Sequence, residues 1–110
     1  MATISASDGY YTTISVFTTK PENQQRLFEV ISAGEEQLKG FPGLVSGSVH
    51  LSHDGTKVVG YAQWEKPEDF DAMRAQPGRQ GHFQEVRELV TDVDLIACRV
   101  AYTHENDGIH

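Results

Sequence analysis

Hydrophobic and polar positions along the chain change period several times, and each change marks an element. "YYTTISVFTT", residues 10 to 19, is β-branched and aromatic and predicts a strand. In "KPENQQRLFEVISAGEEQLKG" the period becomes helical, with Leu27, Val30, Ile31, Gly34 and Leu38 on one buried stripe. Pro21 suits a first helical turn and Gly40 a stop. "FPGLVSGSVHLSHDGTKVVGYAQWEK" then alternates with period two on both sides of Asp54-Gly55, which predicts a hairpin with a two-residue turn. Counting back from His53 opposite Thr56, Leu51 opposes Val58, Val49 opposes Gly60, Gly47 opposes Ala62 and Val45 opposes Trp64. "PEDFDAMRAQ" reads as a short helix, broken at Pro77-Gly78. "RQGHFQEVRELV" reads as another, with Phe83, Val86, Leu89 and Val90 inward, and "DVDLIACRVAYTH" as a last strand.

The order β-α-β-β-α-β, with the second helix broken, predicts an α+β fold of the ferredoxin-like, split βαβ kind. One domain spans residues 10–104, with loose termini at 1–9 and 105–110. The hairpin alternation separates two faces. Val45, Gly47, Val49, Leu51, Val58, Gly60, Ala62 and Trp64 form an apolar face expected under the helices. Ser46, Ser48, His50, Val59, Tyr61 and Gln63 form a mixed face that suits a subunit interface better than free solvent.

Charge narrows the function classes. Sixteen acidic residues against nine basic ones, with no basic cluster, argue against nucleic acid and against an anionic membrane surface. No apolar run reaches the roughly 20 residues of a membrane span. "MATISASDGYY" lacks the regions of a signal peptide, and a single cysteine, Cys98, allows no internal disulfide. A cytoplasmic protein is expected. The five histidines form no HxH or HxxxH pair, so no metal site is expected. Cys98 lies inside a strand, where a thiol packs, and neither GxSxG nor a phosphate loop is present. Glu35-Glu36 reads as a solvated helix face.

A shape argument remains. Small residues beneath a helix (Gly47, Gly60, Ala62) either let it pack closely or leave a cavity. The helical cover is broken at Pro77-Gly78. Trp64, Phe70 and Phe83 would line such a gap, with His82 and Arg87 as the nearest polar groups, and a planar apolar ligand with polar edges would suit it. The alternatives are a filled core around Trp64 and a helix surface for His82 and Arg87.

"PGLVSGSVHLSHDGTKVVGYAQWEKPEDF" resembles the antibiotic biosynthesis monooxygenase family, whose typical run is PGF, a strand, xSxDGTxVxNYAQW, then a helix opened by a carboxylate and an aromatic. The resemblance extends from about Thr12 to His104, and "DGTKVVGYAQW" is its most specific part. It implies subunits that pair sheet to sheet into a dimeric α+β barrel. It also implies an oxygenase that uses O2 on an anthrone-like aromatic polyketide, giving a quinone without flavin, haem or metal. Trp64 falls at the family's pocket tryptophan. His82 matches a frequent helix histidine, a base or substrate anchor, and Arg87 lies close to a family arginine. Val49, Gly60, Ala62, Phe70 and Phe83 complete the implied substrate-binding wall. Two positions depart: Gly60 stands where polyketide oxygenases often carry an asparagine, and Phe70 where one branch carries a tyrosine. A non-catalytic dimeric binding module is the alternative these departures leave open. A haem-degrading branch is disfavoured, because the first strand has no asparagine and the tenth residue after Trp64 is Arg74 rather than histidine.

Overall fold

The computed structural model describes residues 4–106. The elements are β1 (Tyr11–Thr18), a 3-10 turn (Pro21–Asn23) running into α1 (Gln24–Glu36), β2 (Leu44–Leu51), β3 (Lys57–Trp64), α2 (Pro67–Arg74), α3 (Arg79–Leu89) and β4 (Asp92–Cys98). The four strands form one antiparallel sheet in the order β2-β3-β1-β4. That order is the split βαβ arrangement expected, with the helices on one face and the break between α2 and α3 at Pro77-Gly78. Among the described residues no helix is long and apolar enough to cross a membrane, and no group of three ligand-type side chains is placed to hold a metal.

The α1 stripe is buried as its period requires: Leu27, Val30, Ile31, Gly34 and Leu38 all face inward. Two core clusters result. Leu27, Val30, Ile31, Val58 and Val86 form the first, with Phe17, Val49, Leu89 and Val90 packed against it. Leu38, Trp64, Phe70 and Met73 form the second, flanked by Tyr11, Phe41, Leu44 and Ala62.

Four expectations need correction. The hairpin keeps the predicted register at Leu51–Val58, Val49–Gly60 and Gly47–Ala62, but Leu44 rather than Val45 opposes Trp64. A bulge between Leu44 and Ser46 extrudes Val45, which is exposed while Leu44 packs against the second cluster. The turn is also wider than two residues. The Asp54 carboxylate accepts hydrogen bonds from Thr56 N (3.0 Å), Thr56 Oγ1 (2.7 Å) and Ser52 Oγ (2.8 Å), and the Gly55 amide donates to the Ser52 carbonyl, with Gly55 at φ +81°. These local side-chain bonds outcompete the tight turn. Leu51, expected under the helices, is exposed, because it ends the edge strand β2. Finally, β4 stops at Cys98 rather than reaching His104, since Cys98 pairs with Thr12 and β1 offers almost nothing beyond it. The expected loose segments at 1–3 and 107–110 lie outside the described residues.

Candidate active site

Between the two core clusters the central strands contribute small or short side chains, Thr13 and Ser15 from β1 and Gly60 and Ala62 from β3, with Val93 and Leu95 of β4 beside them. The helical cover above them is interrupted between α2 and α3. A cavity of about 380 Å³ remains between sheet and helices, within the range of small-molecule sites. Ile31, Phe17 and Val86 wall one end; Leu38, Trp64, Phe70 and Met73 wall the other.

Seven of the eight sequence-predicted residues meet in this cavity: Trp64, His82, Arg87, Gly60, Ala62, Phe70 and Phe83. Val49 does not. It lies on β2, nearer the sheet edge, and packs against the first core cluster instead. Trp64 is both core and wall. Its ring meets Phe41 (6.2 Å, 82°) and Phe70 (5.7 Å, 65°) edge to face, which fixes the indole plane. Its Nε1–H is buried and has no acceptor among the described residues. A buried N–H without a partner is rare in folded proteins, so this donor is free to meet a ligand oxygen.

His82 is half-buried on α3, with its ring against Gly34 of α1 and tilted on Phe83. Burial, and then the nearby Arg79 guanidinium, hold its pKa below the ordinary histidine value, with Glu85 opposing. The ring is therefore neutral at pH 7 and can accept a proton. His82 also borders a second, polar groove between α1 and α3. Arg87 sits exposed at the cavity rim and donates from Nη2 to Gln84 Oε1 at 3.1 Å. Gly60 offers no side chain, and Phe70 stands between Trp64 and Tyr11.

Among the lining residues missed from the sequence, two are charged and not exposed. Arg79 is 6% exposed; its Nη1 donates to the Gly34 carbonyl at 3.2 Å and its guanidinium lies 5.5 Å from the Phe83 ring centroid. Glu35, read as solvated, is half-buried and lines the cavity, with its Oε2 against β2, where a Cβ on Gly47 would lie 3.3 Å away. Burial raises the Glu35 pKa and Arg79 partly offsets the rise. The signal for Glu35 was its spacing of four from Ile31, which places it beside the buried stripe. Arg79 had none beyond its position directly after the helix break.

A split βαβ sheet with a half-open aromatic cavity on its helical face is an architecture that serves small-molecule chemistry. The model of the antibiotic biosynthesis monooxygenase family matches residues 11–89, and the chain belongs to that family. It is 41% identical, over 104 residues, to tetracenomycin-F1 monooxygenase of Streptomyces glaucescens, covering 94% of this chain and 92% of that one. Two solved structures share the fold. SnoaB of Streptomyces nogalater, a cofactor-independent oxygenase, superposes with a TM-score of 0.76 at 22% identity, covering 86% of this chain and 96% of its own. The ActVA-Orf6 monooxygenase of Streptomyces coelicolor, solved with Nanaomycin D, gives 0.77 at 24% identity, covering 91% and 95%.

Proposed function

We propose that this chain is a small oxygenase that uses O2 to oxidise a polycyclic aromatic substrate, an anthrone- or phenol-type polyketide, to a quinone or hydroxylated product without metal or haem. The observation that carries the reading is an aromatic cavity lined by both Trp64, whose buried indole N–H has no partner among the described residues, and His82. Identity of 41% to a monooxygenase named for tetracenomycin F1 supports the substrate class.

The residues suit the steps as follows. His82 accepts a proton from the activated C–H or phenolic O–H of the bound ring. The carbanion so formed gives electrons to O2, and the new C–O bond yields a hydroperoxide after protonation. Loss of water converts it to the ketone, so CH2 and O2 become C=O and H2O. Trp64 Nε1–H donates to the ring oxygen or the peroxide as negative charge develops there. Phe70 and Phe83 hold the polycycle flat, and Ala62 and Gly60 leave room for it. Arg87 at the rim adds positive charge near the developing anion. Gly60 and Phe70 supply no hydrogen bond, so Trp64, His82 and the arginines carry the polar work.

The resemblance also supports a homodimer through the open sheet face. Ile14, Val16, Val59, Tyr61 and Ile96 share that face by register, and Ile96 is 48% exposed. A monomer mass by light scattering would remove this part of the proposal.

The test is O2 uptake by metal-free protein with an anthrone-type tricycle, wild type beside Trp64→Phe, with product mass read in parallel. Turnover reduced in the variant supports the reading. Uptake no faster than without protein, across several phenolic polycycles, refutes it; tight binding with no turnover would instead identify a binding module.

A further inference from the structure

The chain carries sixteen acidic residues and nine basic ones, yet the cavity inverts that balance. Arg74, Arg79 and Arg87 line it against a single carboxylate, Glu35. A low-dielectric cleft lined by one sign of charge concentrates ligands of the other sign. Arg74 and Arg87 are exposed and solvated, with Arg74 resting over the Phe70 ring and Arg87 bonded to Gln84. Arg79 is different. It is more than nine-tenths buried, its Nε is buried without a partner, and none of the ion pairs among the described residues includes it. Its one hydrogen bond goes to a neutral carbonyl, that of Gly34. A buried guanidinium ordinarily has a carboxylate in contact. Here Glu35, the one carboxylate lining the cavity, makes no ion pair with it.

We propose that Arg79 is the anion subsite of this cavity, and that the ligand is a planar polycyclic aromatic carrying an ionised oxygen, carboxylate or phenolate, which pairs with the guanidinium while Glu35 competes for it. This rests on the cavity being the substrate site, as in the function proposed above, and it names the polar handle that the apolar walls alone do not select. The guanidinium offers a planar donor edge to the oxygen while the polycycle lies among Trp64, Phe70 and Phe83.

The experiment measures binding without O2, so it is independent of turnover. Anthracene-2-carboxylate and its neutral carboxamide are titrated into wild type, Arg79→Gln, Arg79→Lys and Glu35→Gln by anaerobic calorimetry at pH 8. Wild type is expected to prefer the carboxylate by about 10- to 100-fold, the scale of one charge-assisted hydrogen bond. Arg79→Gln abolishes that preference while still binding the carboxamide, and Arg79→Lys restores part of it. Glu35→Gln tightens the carboxylate alone, a gain that no folding defect produces. For the phenolate arm, 2-hydroxyanthracene bound to wild type ionises at lower pH than in buffer, read from its absorption spectrum, and Arg79→Gln removes the shift. An unchanged preference in Arg79→Gln, failure of either probe to bind wild type, or unchanged carboxylate affinity in Glu35→Gln would each overturn the assignment. The last stands even if Arg79→Gln does not fold.

Discussion

Gly34→Ala tests whether contact between α1 and α3 sets the position of His82. A methyl carbon at residue 34 would lie 2.3 Å from His82 Cε1, 2.6 Å from Nε2 and 2.8 Å from Nδ1. Unbonded carbons rest near 3.5 Å or beyond, so the ring must retreat by about 1 Å. Two stability terms oppose each other. Alanine in place of glycine inside a helix gains roughly 0.5–1 kcal/mol. Overpacking costs about 1–3 kcal/mol, and the lower end applies because His82 borders the outer polar groove and can swing into it. The net change in stability is therefore within about 0.5 kcal/mol of wild type. Activity responds more, since displacing a reacting group by about 1 Å costs on the order of 100-fold. The expected result is a nearly unchanged melting temperature with kcat/KM down about 10- to 100-fold, near the level of His82→Ala. The pH profile should move too. In wild type, burial and Arg79 depress the His82 pKa, so the base form persists to low pH and the rate falls only as pH drops below the ordinary histidine range. A ring pushed toward solvent and Glu85 regains a higher pKa, and the acid limb moves to higher pH. Oxygen-electrode rates from pH 5 to 8, with the His82 ring proton followed by NMR, measure both. A Gly34→Ala protein with the wild-type rate and an unmoved acid limb would refute the reasoning.

Leu27→Ala, at the centre of the first core cluster and 0% exposed, should cost about 2–5 kcal/mol in urea unfolding while leaving the distant Trp64 environment intact. Asp54→Ala removes the acceptor that closes the hairpin turn. Because the Asp54 pKa is lowered from 3.8 to about 2 by its Thr56 and Ser52 bonds, the stability it adds is fully present above its unfolded pKa and is lost as pH falls through about 2. Denaturation curves at successively lower pH should show wild type and variant converging, and a gap independent of pH would contradict this. At Gly60 an added Cβ meets only Ser15 Cβ, at 3.9 Å. Gly60→Asn should therefore fold with a melting temperature within about 5 °C of wild type and raise turnover by placing an amide in the cavity; a large loss of stability would show that the space is not there.

The strands and helices were legible because period alone distinguishes them, and the α1 stripe from Leu27 to Leu38 is long enough for the period to be unambiguous. Register through most of the hairpin was legible too, since slipping Val58 and Trp64 by one residue would turn both to the wrong face. What failed was local. Asp54 widens the turn through side-chain bonds that a dipeptide rule does not weigh, and the bulge at Val45 depends on Leu44 filling the Trp64 cluster, a tertiary effect. The length of β4 was set by its partner, since a strand continues only as far as β1 gives it bonds.

The candidate site divides along the same line. Its apolar walls could be inferred because small residues on one strand face, a large one beside them and a break in the covering helix together imply a gap. The charges of Glu35 and Arg79 could not. Glu35 follows an alternating helix into a half-buried place that "GEEQ" does not announce, and Arg79 opens α3, where too few residues precede it for any period to assign its face. Yet those two residues decide what the cavity prefers. An aromatic slot alone accepts any flat ligand, because dispersion and area do not distinguish one polycycle from another. A buried guanidinium that lacks its own carboxylate, set across from a carboxyl group that burial pushes toward neutrality, does distinguish. When an anionic oxygen enters, Arg79 acquires a partner, and Glu35 is the one carboxylate lining the cavity that competes for it. The reaction proposed above also passes through a substrate anion, so the charges hidden from sequence bear on chemistry as well as on binding.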